Sequence, residues 1–193
     1  MLTQRQLFLQ HVAQTSNAPL ALEIEKAEGV CLYDVTGKKY IDLISGIGVS
    51  ALGHCHPKIV EAIQSQAAKY AHTLVYGEFV LSPQVQLAKY LTDLLPSTLS
   101  SVYFTNSGTE ATEGAMKLAK RFTGRTEIIS CFNSHHGSTQ GSLSLNGDEY
   151  FKSVYRPLLP DIRQIRYNNF EDINLITKKT AAIFLEPVQA EAG

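Results

Sequence analysis

The chain has 193 residues, 44% of them hydrophobic, enough for one sizeable core or one domain with a small appendage. Seventeen basic and eighteen acidic residues leave a formal net charge of −1, and no run of Lys or Arg occurs, which argues against a nucleic-acid-coating surface. Three cysteines, Cys31, Cys55 and Cys131, form no CxxC pair; free thiols in a reducing compartment fit better than a disulfide framework.

The opening "MLTQRQLFLQ" lacks the charged and apolar regions of a signal peptide. Residues 43–57 and 128–147 carry no charge but are too rich in Gly, Ser, Asn and His to span a bilayer. The expectation is a soluble cytoplasmic protein with no nucleic-acid or membrane partner.

Leu7, Phe8 and Val12 predict a helix within residues 3–15, closed by Pro19. "VCLYDVTGKKYIDLI" predicts two short strands around a Thr36-Gly37 turn. The Gly-rich "SGIGVSALGHCHP" follows, and Pro57 suits the first turn of a helix whose stripe is Ile59, Ile63, Ala67 and Tyr70. A second helix is expected from about Ser82 to Leu95. From residue 101 strands and helices alternate: "SVYFT", a helix from Ser107 to Phe122 with Ala111, Ala115, Leu118, Ala119 and Phe122 on one side, "EIISCF", a short helix, "IRQIRY", the helical pattern "FEDINLIT", and "AAIFLEPV". That alternation predicts an α/β fold built from βαβ units, with a mostly parallel sheet covered on both faces.

The abrupt passage from strand to helix at Asn106-Ser107-Gly108-Thr109 draws two readings. Ser107 and Glu110 make an S-x-x-E capping box. Equally, a helix start beyond the carboxyl end of a strand offers free N–H groups and a positive dipole end to an anion. Gly108 permits close approach, and the Ser107 and Thr109 hydroxyls can donate. The spacing suits a monophosphate; it lacks the G-x-G-x-x-G of a pyrophosphate site and the G-K-[ST] ending of a P-loop. In "GHCHP", adjacent residues of an extended chain point to opposite faces, so His54, Cys55 and His56 make a poor chelate and no metal is expected.

"DVTGKKYIDLISGIGVSALGHCHPKIVEAIQSQ", "VYFTNSGTEATEGAMKLAKRF", "HHGSTQGSLSLNG" and "FLEPVQAEAG" together resemble the class III (ornithine/acetylornithine/GABA-type) aminotransferases. The segments run in that family's order and cover nearly the whole chain from about residue 23. The resemblance implies a fold-type I large domain binding pyridoxal 5'-phosphate, reached from a smaller domain that includes residues 1–50; residues 51–193 would be the first part of the cofactor-binding domain. It implies that Ser107, Gly108 and Thr109 grip the phosphate, that His135 takes the place of the aromatic residue stacking on the pyridine ring, with His136 beside it, and that Glu186 lies near the ring. Glu191 matches a glutamate that gates substrate binding, and Tyr76 lies in a loop that in the family approaches a neighbouring subunit's site.

One departure bears on substrate. Many members read H-G-R-[ST] and hold a substrate carboxylate with that Arg as a two-pronged ion pair; here Ser138 stands there. The implied reaction is transfer of an amino group from an acetylornithine- or ornithine-like ω-amine to a 2-oxo acid such as 2-oxoglutarate, in a homodimer with its site at the interface. Alternative donors are 4-aminobutyrate, β-alanine or a simple amine. The family's cofactor-bearing lysine and its pyridine-nitrogen aspartate follow the E-P-[VI]-Q segment, beyond Gly193, so residues 1–193 by themselves are expected to be inactive. Two other classes remain open: a different phosphate-ligand-binding α/β protein, and a non-catalytic module.

Overall fold

In a computed structural model describing residues 2–74 and 77–193, the chain divides into two units, Met1–Leu81 and Ser82–Gly193. The first unit begins with α1, Gln4–His11. Its start is a reciprocal cap: the Thr3 hydroxyl accepts from the Gln6 amide at 3.2 Å, and the Gln6 side chain accepts from the Thr3 amide at 2.8 Å. A three-stranded antiparallel sheet follows, β1 (Ile24–Glu28), β2 (Cys31–Asp34) and β3 (Lys39–Ile41), in spatial order β1-β2-β3. The hairpin expected around Thr36-Gly37 is β2–β3. Asp34 closes its turn by accepting from the Thr36 hydroxyl (2.7 Å), the Thr36 amide (2.9 Å) and the Lys38 amide (3.0 Å). β1 escaped the sequence reading because Glu25, Lys26 and Glu28 leave no apolar alternation in five residues.

Residues 42–56 form the Gly-rich loop. Its one helical turn, α2 (Ser45–Gly48), holds left-handed residues, including Ser45 at φ +52° and Ile47 at φ +58°. Asp42 pins it: one carboxylate oxygen accepts from the Ile44 and Ser45 amides, each at 2.9 Å, and the other meets His54 Nε2 at 2.7 Å. His54 also pairs its backbone with Gly29. Helix α3, Pro57–Lys69, starts with Pro57 as expected.

The second unit opens with α4, Ser82–Asp93. "SVYFT" departs from expectation. Residues 101–105 have no regular secondary structure and form no ladder with any described strand, and Tyr103 is 75% exposed. An apolar run becomes a strand only where a neighbour takes up its backbone groups, and composition carries no such information. Then come α5 (Gly108–Thr123), β4 (Glu127–Cys131), α6 (Gln140–Leu145), α7 (Glu149–Lys152), β5 (Ile162–Ile165) and β6 (Thr180–Ile183). The three strands form a parallel sheet ordered β5-β4-β6, with Ile128 opposite Ile162 on one side and Ala182 on the other. All five residues of the central β4 are buried. Successive side chains serve opposite faces: Ile128 packs with Met116 and Leu145, while Ile129 and Cys131 pack with Ile165. "FEDINLIT" makes a 3-10 segment, Phe170–Leu175, because Asp172 is drawn back onto the Arg166 amide (2.7 Å) and guanidinium.

Helix α5 ends as its sequence requires, with Gly124 at φ +68°. Leu118 (67%) and Phe122 (88%) are exposed, and Met116 is its one fully buried residue. The side carrying Thr109, Thr112 and Glu113 is turned inward, because the backbone of residues 136–142 finds its hydrogen-bond partners there.

Candidate functional site

The start of α5 combines both readings of Asn-Ser-Gly-Thr. The Ser107 hydroxyl accepts from the Glu110 amide at 3.3 Å, and the Glu110 carboxylate accepts from the Asn106 amide at 2.7 Å. The carboxylate therefore closes the turn one residue before the cap. The amides of Ser107, Gly108 and Thr109 are left with no acceptor among the described residues. A Cβ placed on Gly108 would meet nothing within 4 Å, so the backbone there is open to approach. Three consecutive unpaired donors on a sixteen-residue helix make a ready anion cradle.

Beside it, the chain leaving β4 forms a loop over residues 132–139. Asn146, 1% exposed, holds that loop: its side-chain oxygen accepts from the His136 amide (2.7 Å) and its NH2 donates to the Gly137 carbonyl (3.0 Å). Thr112 donates to the His136 carbonyl at 3.0 Å. The Thr109 hydroxyl lies 2.7 Å from that of Thr139 and 2.5 Å from that of Ser142. Gly137, at φ +132°, is required at this crossing, since a Cβ there would come within 2.5 Å of the Thr109 hydroxyl. The Thr109 hydroxyl is thus engaged by the loop, and what Thr109 leaves free is its amide.

Glu186, three residues past β6, accepts from the His135 amide at 3.1 Å and ties the two strand ends together. His135 stands edge-on to Phe151 at 6.0 Å. Burial pushes the His136 imidazole below its usual pKa, with Glu186 pulling the other way, and its buried Nε2 has no partner among the described residues. A recess of about 260 Å³ is lined by Asn133, His135, Asp148, Phe151 and Glu191. So Ser107, Gly108, Thr109, His135, His136 and Glu186 share the neighbourhood of the carboxyl ends of β4 and β6, where an open α/β sheet places its ligands. Glu191 borders it through the recess. Ser138 is exposed on the same loop. Tyr76 lies outside the described residues.

The sequence reading missed Thr112, Glu113 and Asn146, the residues that hold the loop. Asn146, in the "LNG" at the end of α6, carried the one available signal, an amide side chain directly after the last leucine of a short uncharged helix. Of the "GHCHP" histidines, His54 pairs with Asp42, while His56 precedes α3 as its N-cap without a side-chain capping bond, its buried Nδ1 having no partner among the described residues. Among the described residues no three His, Cys, Asp or Glu side chains come together as a metal site, and no helix is long and apolar enough to cross a membrane.

The family model described as Aminotransferase class-III matches residues 12–193. Acetylornithine aminotransferase of Methanopyrus kandleri is 40% identical over 189 residues, covering 95% of this chain and 46% of that protein. The LysW-aminoadipate semialdehyde/glutamate semialdehyde transaminase of Sulfurisphaera tokodaii is 37% identical over 172 residues, 89% of this chain and 44% of that one. Among solved structures, an ornithine aminotransferase from Toxoplasma gondii with partial occupancy of PLP at its active site superposes with a TM-score of 0.81 at 26% identity, covering 96% of this chain and 45% of that chain. The chain spans about half the length of the curated relatives it matches. Its α/β architecture is the fold-type I transaminase fold in part, and the chain belongs to the class III aminotransferases.

Proposed function

We propose that the protein is, as a whole, a pyridoxal-phosphate-dependent aminotransferase, and that Ser107, Gly108 and Thr109 hold the phosphate of the cofactor. One observation carries this reading: three successive amides at the start of α5 have no acceptor among the described residues, with a serine hydroxyl beside them. The residues fit the group. A phosphate dianion is favoured by the positive end of α5 and by charge-assisted hydrogen bonds from its amides.

When bound, pyridoxal phosphate supplies the electron sink that lets an amino group leave one carbon and join another. The residues of this chain bind and orient it. The cradle fixes the phosphate. The loop carrying His135 and His136, held by Thr112, Asn146 and Glu186, would flank the ring. Glu191 and Asp148 border the recess next to His135 and favour the cationic end of an amine donor there. The lysine that carries the cofactor is assigned to sequence following residue 193 in the whole protein, with residues 1–50 forming part of a small domain and 51–193 the first part of the cofactor-binding domain. A homodimer in the cytoplasm completes this reading.

For the donor, an acetylornithine- or ornithine-like ω-amine is supported by the similarity to acetylornithine and ornithine aminotransferases; a 2-oxo acid such as 2-oxoglutarate is the acceptor in this reading. A second reading, a donor without an α-carboxylate, is favoured by Ser138, which places no guanidinium on the loop. The test is a titration of the intact protein with pyridoxal phosphate and with pyridoxal, followed by a screen of acetylornithine, ornithine, 4-aminobutyrate and a simple amine against 2-oxoglutarate. Two or three charge-assisted hydrogen bonds correspond to a preference for the phosphorylated form of at least about hundredfold. Equal binding of the two compounds would remove the basis of the reading.

A further inference from the structure

Helix α6 has an unusual start. Its N-cap residue, Thr139, makes no side-chain capping bond, and Gly141 and Ser142 are buried, so the free amides of its first turn need an acceptor from within the fold. That acceptor comes from a different helix. Glu113, in the second turn of α5, uses one carboxylate oxygen to accept from the Gly141 amide at 2.9 Å, the Ser142 amide at 3.0 Å and the Thr139 hydroxyl at 2.5 Å. Gly141 is the residue this approach demands, since a Cβ there would run into the Glu113 carboxylate. A carboxylate at a helix N-terminus is favoured by the dipole as well as by the bonds.

Glu113 does not act alone. Thr109, Thr112 and Glu113 lie at i, i+3 and i+4 on one face of α5, and each grips residues 136–142. The same helix presents the three free amides of Ser107, Gly108 and Thr109 at its first turn. One rigid element therefore carries the anion cradle and also clamps the loop that bears His135 and His136.

We propose that Glu113 is a positioning residue: its carboxylate caps α6 across the fold and so fixes the His135–His136 loop relative to the Ser107–Thr109 cradle. The role rests on the cofactor-binding reading above, since what the clamp fixes is the offset between the phosphate end and the ring end of one ligand. The clamp itself is independent of that reading.

The experiment uses the intact protein with Glu113→Ala, Glu113→Gln and Gly141→Ala. Hydrogen exchange is measured at the Gly141 and Ser142 amides without cofactor. Pyridoxal phosphate affinity and the induced circular dichroism per bound molecule are measured with it. Losing a charge-assisted acceptor raises exchange at both amides by about tenfold or more in Glu113→Ala, and by less in Glu113→Gln, which keeps an oxygen but no charge. The same variants bind the cofactor more weakly, again by about tenfold for alanine, and lose induced dichroism per bound molecule, which a change in stability alone would leave intact. Gly141→Ala, which keeps the carboxylate but obstructs it, reproduces both effects if Glu113→Ala does not fold. Unchanged exchange at Gly141 and Ser142 overturns the clamp. Faster exchange with wild-type affinity and dichroism overturns the positioning role. A wild-type protein that binds no pyridoxal phosphate overturns the function proposed above, and this role with it, while the exchange measurement still reads the clamp.

Discussion

Replacing Ser107 with alanine separates two jobs held by one hydroxyl. In the protein without ligand, that oxygen accepts from the Glu110 amide at 3.3 Å, a long bond for a cap. Loss of an N-cap costs about 0.5–2 kcal/mol, and the length of this bond puts the expectation at the low end, about 0.5–1 kcal/mol. The hydroxyl hydrogen is not used by the cap. If it donates to a phosphate oxygen, its loss removes a charge-assisted bond of about 1.5–3 kcal/mol, roughly ten- to hundredfold in affinity. Urea unfolding of the apo protein reads the first quantity, and parallel titrations with pyridoxal phosphate and pyridoxal read the second. The expected pattern is a small loss of stability, a ten- to hundredfold loss for the phosphorylated compound and little change for pyridoxal. A variant that binds both compounds equally well, or loses affinity for both equally, would show that Ser107 only caps the helix.

Three further outcomes follow from the geometry. Ile128→Ala empties a fully buried site between Met116 and Leu145 and should lower stability by about 2–5 kcal/mol in denaturant unfolding; less than 1 kcal/mol would mean the sheet is not packed as described. Asp42 has its carboxyl pulled below the usual range, first by the hydrogen bond from His54. Its contribution is therefore present above the ordinary carboxylate range and fades as pH falls through the lowered value, whereas Asp34, held at about 2 chiefly by the Thr36 hydroxyl, persists to lower pH. Urea midpoints measured from pH 6 to 2.5 should fall less steeply in Asp42→Asn than in wild type, and parallel curves would contradict the pairing. Ser138→Arg restores the residue that the family resemblance puts on this loop, and should raise kcat/KM for an α-carboxylated donor over a simple amine by about tenfold or more; no change in that ratio would mean that the loop does not face substrate.

What the sequence made legible is local or covalent in origin. The Thr36-Gly37 turn, Pro57 at a helix start, Gly124 at a helix end and the Ser107 cap each follow from residues within a few positions of one another. Four motifs in order were enough for the family. The losses come from contacts between distant segments. Nothing in "SVYFT" reveals that no described strand runs beside it, and the apolar stripe of α5 outweighed Thr109, Thr112 and Glu113 in the periodicity. That polar side is nevertheless the inward one, because the backbone of a loop about 25 to 30 residues further along is satisfied there. Asn146 and Glu113 were overlooked for the same reason: each is an ordinary polar residue until its partner across the fold is known.

The measurement that bears most directly on the phosphate cradle is a crystal structure of the intact protein grown with pyridoxal phosphate. The phosphorus should lie at the start of α5, its oxygens within hydrogen-bond distance of the amides of Ser107, Gly108 and Thr109. Cofactor density at another place, with those three amides facing only solvent, would contradict the account.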